Sequence, residues 1–311
     1  MVTAVERLPV PPQDAKKPVA PTDPAGPASR GRRLARRAGT AARFVAARPG
    51  LLVSCVVVAL VLLAAVAPGL LAGGDPLTGT PAERLQGPSA EHLFGTDQLG
   101  RDLFTRVVHA TSLSLRATAL AVAVSLVVGG SLGLVAGFVG GALDDAVMRL
   151  VDVLQAIPRL LMSLAVVTAL GFGTTKVAFA VGIAAAAGFA RVMRAEVLRV
   201  RQAEYVEAAR ACGVRPSGVL LRHVLPNAWG PVLVMAALEF GTAILAVSAL
   251  SFLGFGATPP TPEWGALVSD GRNFVATAWW LTTFPGLVIA ATVLSANRIS
   301  RALDTERGDD R

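Results

Sequence analysis

The sequence predicts an all-α integral membrane protein with about six membrane-crossing helices. Three observations predict it. Hydrophobic residues fill 53% of the 311 positions, with a mean hydropathy of +0.58, above the share expected of a soluble domain. Apolar runs long enough to cross a bilayer recur at about 51–71, 113–139, 147–170, 176–193, 228–255 and 278–297. Basic residues gather beside alternate runs, which places both the N- and C-termini in the cytoplasm.

The net charge of +8 belongs mostly to residues 1–48, which hold ten Lys/Arg against three acids. A basic cluster ahead of the first apolar run is an orientation signal. Nucleic-acid binding fits this tail less well, because its arginines are not interleaved with a series of stacking aromatics. The tail is also too long for the n-region of a cleaved signal peptide. Cys55 and Cys212 lie in unlike segments and make no disulfide framework.

In order, residues 1–30 read as a disordered tail rich in Pro and Ala, and Arg32–Arg48 as a basic interfacial helix. The first span ends at Gly73-Gly74-Asp75-Pro76, and residues 75–111 form a polar outer segment. Within it, 102–109 suits a helix along the membrane surface. The second span carries Gly129, Gly133, Gly137 and Gly141, a smooth ridge on which another helix packs closely. The third contains Asp152, Gln155, Pro158 and Arg159 in its first half. The fourth presents Ala178, Gly182, Ala186 and Ala190 on one face, and Arg191, Arg194, Arg199 and Arg201 mark its cytoplasmic end. The fifth begins after Pro226-Asn227. The sixth opens with Trp279 and Trp280 as an aromatic belt. The chain thus divides into a tail (1–48), a first span with its outer segment (49–111), a core of five spans (112–303) interrupted by a cytoplasmic loop (199–226), and a C-terminal tail (304–311).

The loop is the most informative stretch. Tyr205, Ala208, Ala209 and Cys212 fall at i, i+3, i+4 and i+7, giving a short helix with one small apolar face. Glu204, Glu207 and Arg210 stay off that face. Gly213 suits the helix end, and Pro216 the first turn of another. Such an element outside the membrane is a docking surface for a partner.

Catalytic chemistry is poorly represented. None of the three lysines, Lys16, Lys17 and Lys176, follows a glycine, so the chain supplies no P-loop. His92, His109 and His223 are too scattered for a metal site, and neither an H-E-x-x-H nor a G-x-S-x-G string occurs. A membrane-embedded enzyme or a simple channel therefore has little support. A charge inside a span is a functional candidate by default. Glu239, well into the fifth span, is either a wall residue of a solute path, the partner of a basic residue on a neighbouring helix, or a polar contact at a helix seam. Gln155 is a second path candidate. Asp152 and Arg159 read as groups near a membrane end, where snorkelling or local pairing suffices.

Glu207-Ala208-Ala209, three residues, Gly213, nine residues, His223, one residue, then Leu225-Pro226 resembles the EAA loop of ATP-binding-cassette importer permeases. An aliphatic residue usually stands at the position of His223, and a histidine there is familiar in the peptide/nickel branch. His92–Asp102 (HLFGTDQLGRD) and Leu250–Gly265 (LSFLGFGATPPTPEWG) are similar to the "C"-type subunit of dipeptide/oligopeptide importers. The resemblance covers roughly residues 45–305. It implies a type I (MetI-like) permease fold in the cytoplasmic (inner) membrane of a bacterium, without catalysis or a cofactor of its own. ATP and Mg would be used by two partner ATPases. Further partners would be a homologous second permease, an external substrate-binding lipoprotein and membrane lipid, but no nucleic acid. The solute would be a di- or oligopeptide, with nickel, glutathione or an oligosaccharide as alternatives. By the same resemblance the loop is the coupling helix. Glu207 would face a basic residue of the ATPase, Ala208 and Ala209 would permit close contact, Gly213 would make the bend, and Leu225-Pro226 would pass motion into the fifth span.

Overall fold

A computed structural model describes residues 49–309, with side chains through residue 302. The predicted tail, its interfacial helix and the last residues of the C-terminal tail lie outside the described residues. The helices are α1 (Pro49–Val66), α2 (Leu103–Val139), α3 (Gly141–Ala156), α4 (Arg159–Leu170), α5 (Thr174–Arg201), α6 (Glu204–Ala211), α7 (Pro216–Val219), α8 (Leu225–Phe252), α9 (Trp264–Gly271) and α10 (Trp280–Asp309). No strand occurs among the described residues. Five helices are long and apolar enough to cross a membrane alone, and α3 with α4 reach that length and apolarity only together, as a pair bent at the break between them.

The glycine ridge decides the centre of the bundle. α2 and α5 run parallel, and Gly129, Gly133 and Gly137 lie against Ala186, Ala190 and Val197. A Cβ on Gly129 would fall on the Ala186 carbonyl, and one on Gly133 on the Ala190 carbonyl. The second ridge answers the first, since a Cβ on Gly182 would stand 2.7 Å from the Ala121 carbonyl oxygen and the Val124 Cβ. Backbones this close gain dispersion contacts where lipid supplies no hydrophobic drive. Gly141 does not extend the ridge. It opens α3 at φ +62, directly after Gly140 at φ +73, and the two glycines reverse the chain.

Because α2 and α5 are parallel, the bundle has two well-defined ends. At one end the Arg201 guanidinium donates to the Phe138 carbonyl at 3.1 Å, meeting the C-terminus of α2 with positive charge. Gly50 lies there beside the Arg298 side chain, so α1 begins where the sixth span arrives. At the other end, Gly173 N–H donates to Phe255 O at 2.9 Å, joining the start of α5 to the end of α8.

Several expectations are corrected. Residues 102–109 are not a separate surface helix. Asp102 caps α2 by accepting from Thr105 N–H at 2.7 Å, and the next residues are the first turns of a 37-residue helix. The third span is not straight. It bends by 99° between Ala156 and Arg159, because Pro158 excludes the helical conformation at Ile157. The fifth span does not start at Ala228. Pro226 has no N–H to give the carbonyl four residues back, and the chain shifts to π-type bonding over Leu220–Val224, with Leu225 N–H reaching Leu220 O. Helical backbone therefore continues from Pro216 to Phe252. Trp280 is not part of a lipid-facing belt. It is buried and donates to Thr96 O at 3.2 Å, while Trp279 stays exposed.

The segment ahead of α2 folds back as a compact cap. Asp97, 1% exposed, accepts from the Leu99 and Arg101 amides at 2.8 and 3.0 Å. Its other oxygen accepts from Arg101 Nε at 2.7 Å and Arg106 Nη1 at 2.6 Å. Removing one partner of such a buried ion pair costs about 3–5 kcal/mol. Asp97→Ala is therefore expected to lower the apparent melting temperature of the purified protein markedly. Unchanged melting would contradict a structural role for this carboxylate.

Candidate functional site

α6 and α7 sit beyond the Arg201 end of the bundle. α6 is short and holds its place through one residue: Val206 is fully buried among Val197, Val219, Val224 and Ala228. Burying a side chain of that size contributes about 1.5–3 kcal/mol. The remaining surface of α6 is open. Tyr205, Glu207, Ala208 and Cys212 are exposed, and Ala209 is half-buried. The predicted small face therefore points away from the bundle, with Ala209 at its edge. Gly213 follows at φ +79, a conformation other residues adopt only under strain. Its N–H donates to Arg210 O, and Val214 N–H donates to Ala209 O. His223 is half-buried in the π segment, where its carbonyl accepts from Asn227 Nδ2 at 2.7 Å. Leu225 and Pro226 open α8 directly after it.

The arrangement is a lever. The exposed two-turn α6, pinned by Val206, is joined by the turn at residues 212–215 to helical backbone that runs from Pro216 into the membrane-crossing α8. A displacement of α6 has no slack to absorb it between Pro216 and α8.

Glu239 and three other acidic residues of the helices pair with arginines. Glu239, midway along α8 and 8% exposed, receives the Arg159 guanidinium from the start of α4. Of the readings open for Glu239, the structure supplies the basic neighbour. Arg159 is correspondingly not a group at a membrane end. It stands at the break between α3 and α4, at the depth of the middle of α8, with its side chain 54% exposed. Gln155 is exposed in the last turn of α3 and makes no hydrogen bond to this pair. Asp152 pairs with Arg191 at 2.6 Å and Asp144 with Arg194, which ties α3 to α5. Sequence reasoning missed the Arg159–Glu239 contact because nothing local to either residue reports on the other.

The pair gives an expected outcome. Arg159→Leu leaves Glu239 buried and alone, whereas Arg159→Leu with Glu239→Leu removes both charges. If the pair only closes a seam, the double variant recovers most of the assembly lost by the single one and transports normally. If the pair lines a path, the double variant assembles but transport or basal ATP hydrolysis changes.

A second cluster lies at the opposite end, where the 97–106 cap meets the segment around α9. Arg106 Nη2 stands 4.0 Å from Asp270 Oδ2, and Glu263 is fully buried. Burial pushes the Glu263 and Asp270 carboxyls above the usual carboxylate range; the Arg106 charge opposes that shift at Asp270. Of these residues only Glu263 falls inside the string PPTPEWG; Arg106 and Asp270 lie just beyond HLFGTDQLGRD and PPTPEWG, and the spacing within either string gives no sign that they meet. Among the histidines, His92 Nδ1 lies 3.0 Å from Asp102 Oδ2 and His109 Nε2 lies 3.4 Å from Ala72 O. No grouping of metal-binding side chains occurs among the described residues.

Comparison with known proteins agrees with this geometry. Residues 129–307 match the family described as the binding-protein-dependent transport system inner membrane component. The chain is 42% identical over 248 residues to the dipeptide transport system permease protein DppC of Alkalihalophilus pseudofirmus, covering 80% of this chain and 81% of that one. It is 38% identical to a probable D,D-dipeptide transport system permease protein of Escherichia coli K12 (78% and 82% covered). It is 40% identical to the glutathione transport system permease protein GsiD of Pectobacterium atrosepticum (70% and 72% covered). Among solved structures, it shares its fold with a chain of an amino acid ABC transporter (TM-score 0.50, 16% identity, covering 65% and 94%). It likewise matches a chain of the inward-facing MetNI methionine ABC transporter (TM-score 0.50, 19% identity, covering 63% and 95%). The chain thus belongs to the family of binding-protein-dependent transport system inner membrane components, and is a multi-pass permease subunit of an ATP-binding-cassette importer.

Proposed function

We propose that this permease moves di- or oligopeptides inward across the cytoplasmic membrane of a bacterium, driven by ATPase subunits that grip α6. The exposed small face of α6, joined through the Gly213 turn to helical backbone that runs from Pro216 into α8, is the observation that carries the reading. Glu207 would meet a basic residue of the ATPase, Tyr205, Ala208 and Ala209 would allow close approach, and Gly213 would set the angle. His223, Leu225 and Pro226 would then carry the displacement into the membrane. ATP and Mg would bind to the ATPases and not to this chain. In this reading residues 1–48, the 199–226 loop and the C-terminal tail are cytoplasmic, and the 97–106 cap and α9 face outward.

The remaining partners are a homologous second permease, whose surface would complete the solute path beside Glu239 and Gln155, and an external substrate-binding lipoprotein. Support for a peptide comes from the names of the relatives, which include dipeptide, D,D-dipeptide and di/tripeptide permeases. Glutathione, itself a tripeptide, keeps the same chemistry. The test is uptake by proteoliposomes containing both permeases, the ATPases and the binding protein. ATP-dependent accumulation of a labelled dipeptide, suppressed by other peptides but not by nickel, is expected. Accumulation of nickel alone would overturn the peptide reading.

A further inference from the structure

Arg116 stands inside the membrane-crossing α2, is exposed, and its guanidinium makes no ion pair or hydrogen bond with a described residue. A charge in such a helix is costly and is a functional candidate by default. Residues 117–139 carry no ionisable side chain, a helical length of about 34 Å, enough to cross the hydrocarbon of a bilayer. Arg201 meets the far end of that stretch. Arg116 therefore marks the opposite membrane boundary, at the end of the bundle where the 97–106 cap lies.

The face of α2 that carries Arg116 changes character there. Towards the cap, His109 and Ser112 share the face at i−7 and i−4, and all three line a cavity of about 300 Å³ bounded by residues 76–77 and 261–262. His109 Nε2 is committed to Ala72 O at 3.4 Å, whereas the Ser112 hydroxyl has no partner among the described residues. Away from the cap, Ala119, Ala123 and Val127 continue the face at i+3, i+7 and i+11, and all are exposed. A free guanidinium beside a free hydroxyl calls for an oxyanion, which accepts from both. The apolar strip calls for an aliphatic chain attached to it. A peptide carboxylate would satisfy Arg116, but Ala119, Ala123 and Val127 offer its amides nothing. A neutral diacylglycerol would cover the strip and leave Arg116 unpaired. We propose that Arg116 and Ser112 hold the phosphate of a phospholipid, with an acyl chain lying along Ala119, Ala123 and Val127. The site needs only that the chain spans a bilayer, whatever solute it carries.

The test uses the full importer in detergent, photolabelled with a phosphatidylglycerol bearing a diazirine in one acyl chain. Adducts on residues 119–127 are mapped by mass spectrometry and divided by adducts on the exposed α1 residues Val53 and Val56, which report unselective contact. Wild type should give a ratio at least fivefold above that of Arg116→Leu, with partial recovery in Arg116→Lys. A diacylglycerol with the same chains should label wild type no better than the phospholipid labels Arg116→Leu, a comparison that holds even if the variant assembles poorly. Equal ratios in wild type and Arg116→Leu, or equal labelling by the two lipids, would overturn the site. Absence of adducts on 119–127 would overturn it in favour of a protein partner over the strip. Displacement of the probe by dialanine but not by unlabelled phospholipid would overturn it in favour of a solute carboxylate.

Discussion

Gly133→Leu is expected to leave almost no assembled permease. A Cβ at this position lands on the Ala190 carbonyl and 2.9 Å from the Met193 Cβ, so the obstacle is backbone and not the end of a flexible side chain. α2 and α5 would have to separate along the ridge, because Gly129 makes the same close approach one turn before and Gly137 a looser one, its Cβ position 3.0 Å from Arg194 O and Val197 Cβ, one turn after. Ordinary overpacking costs about 1–3 kcal/mol; here two membrane-crossing helices lose their contact as well. Gly230→Leu is the control, since nothing lies within 4 Å of a Cβ built there. Size-exclusion of detergent extracts should show a monodisperse peak for Gly230→Leu and none for Gly133→Leu. Comparable peaks would mean that the ridge is not what holds the bundle.

Gly213→Pro and Glu207→Arg should both reduce ATP-driven uptake to background with the protein still in the membrane. They act by different routes. Proline fixes φ near −65°, whereas Gly213 sits at φ +79, and proline also lacks the N–H that Gly213 gives to Arg210 O. The substitution therefore re-aims α6. Glu207→Arg leaves the backbone alone. Glu207 is exposed, and exposed substitutions away from special features change stability by only about 0.5 kcal/mol. A loss of uptake there reports a lost partner contact and not unfolding. Uptake at the wild-type rate in both variants would remove α6 from the coupling path.

Much of this architecture is legible in the sequence, for reasons that differ by element. The spans and the paired ridges are local patterns: an apolar run or a four-residue glycine spacing states its own structure. The α6 face is equally local, and only the half-burial of Ala209 departs from its helical period. Pro158 and Pro226 each announce a disturbance without specifying its kind. At Pro158 the chain breaks by 99°, while at Pro226 a π register keeps it continuous. The difference lies in the neighbours, since Val224 and Ala228 are buried in the core around Val206 and Ile157 and Pro158 are exposed. The least legible features are the long-range polar ones. Arg159 with Glu239, Trp280 with Thr96, and Arg106 with Asp270 all depend on how helices are packed. The reading of Trp280 as a lipid-facing belt residue failed for this reason.

Coupling requires α6 to touch an ATPase, and cysteine cross-linking measures that contact directly. Ala208→Cys is placed in a Cys55→Ser, Cys212→Ser background and labelled with a benzophenone maleimide, whose photoactivated ketone inserts into C–H bonds of whatever chain it touches, and the full importer is irradiated in the absence and presence of ATP. Ala208 is exposed, and Cys55 and Cys212 are free thiols that would otherwise compete. A permease–ATPase adduct whose yield changes with nucleotide is the predicted result. An intact complex that yields no such adduct in either state would contradict the assignment of α6 as the coupling helix.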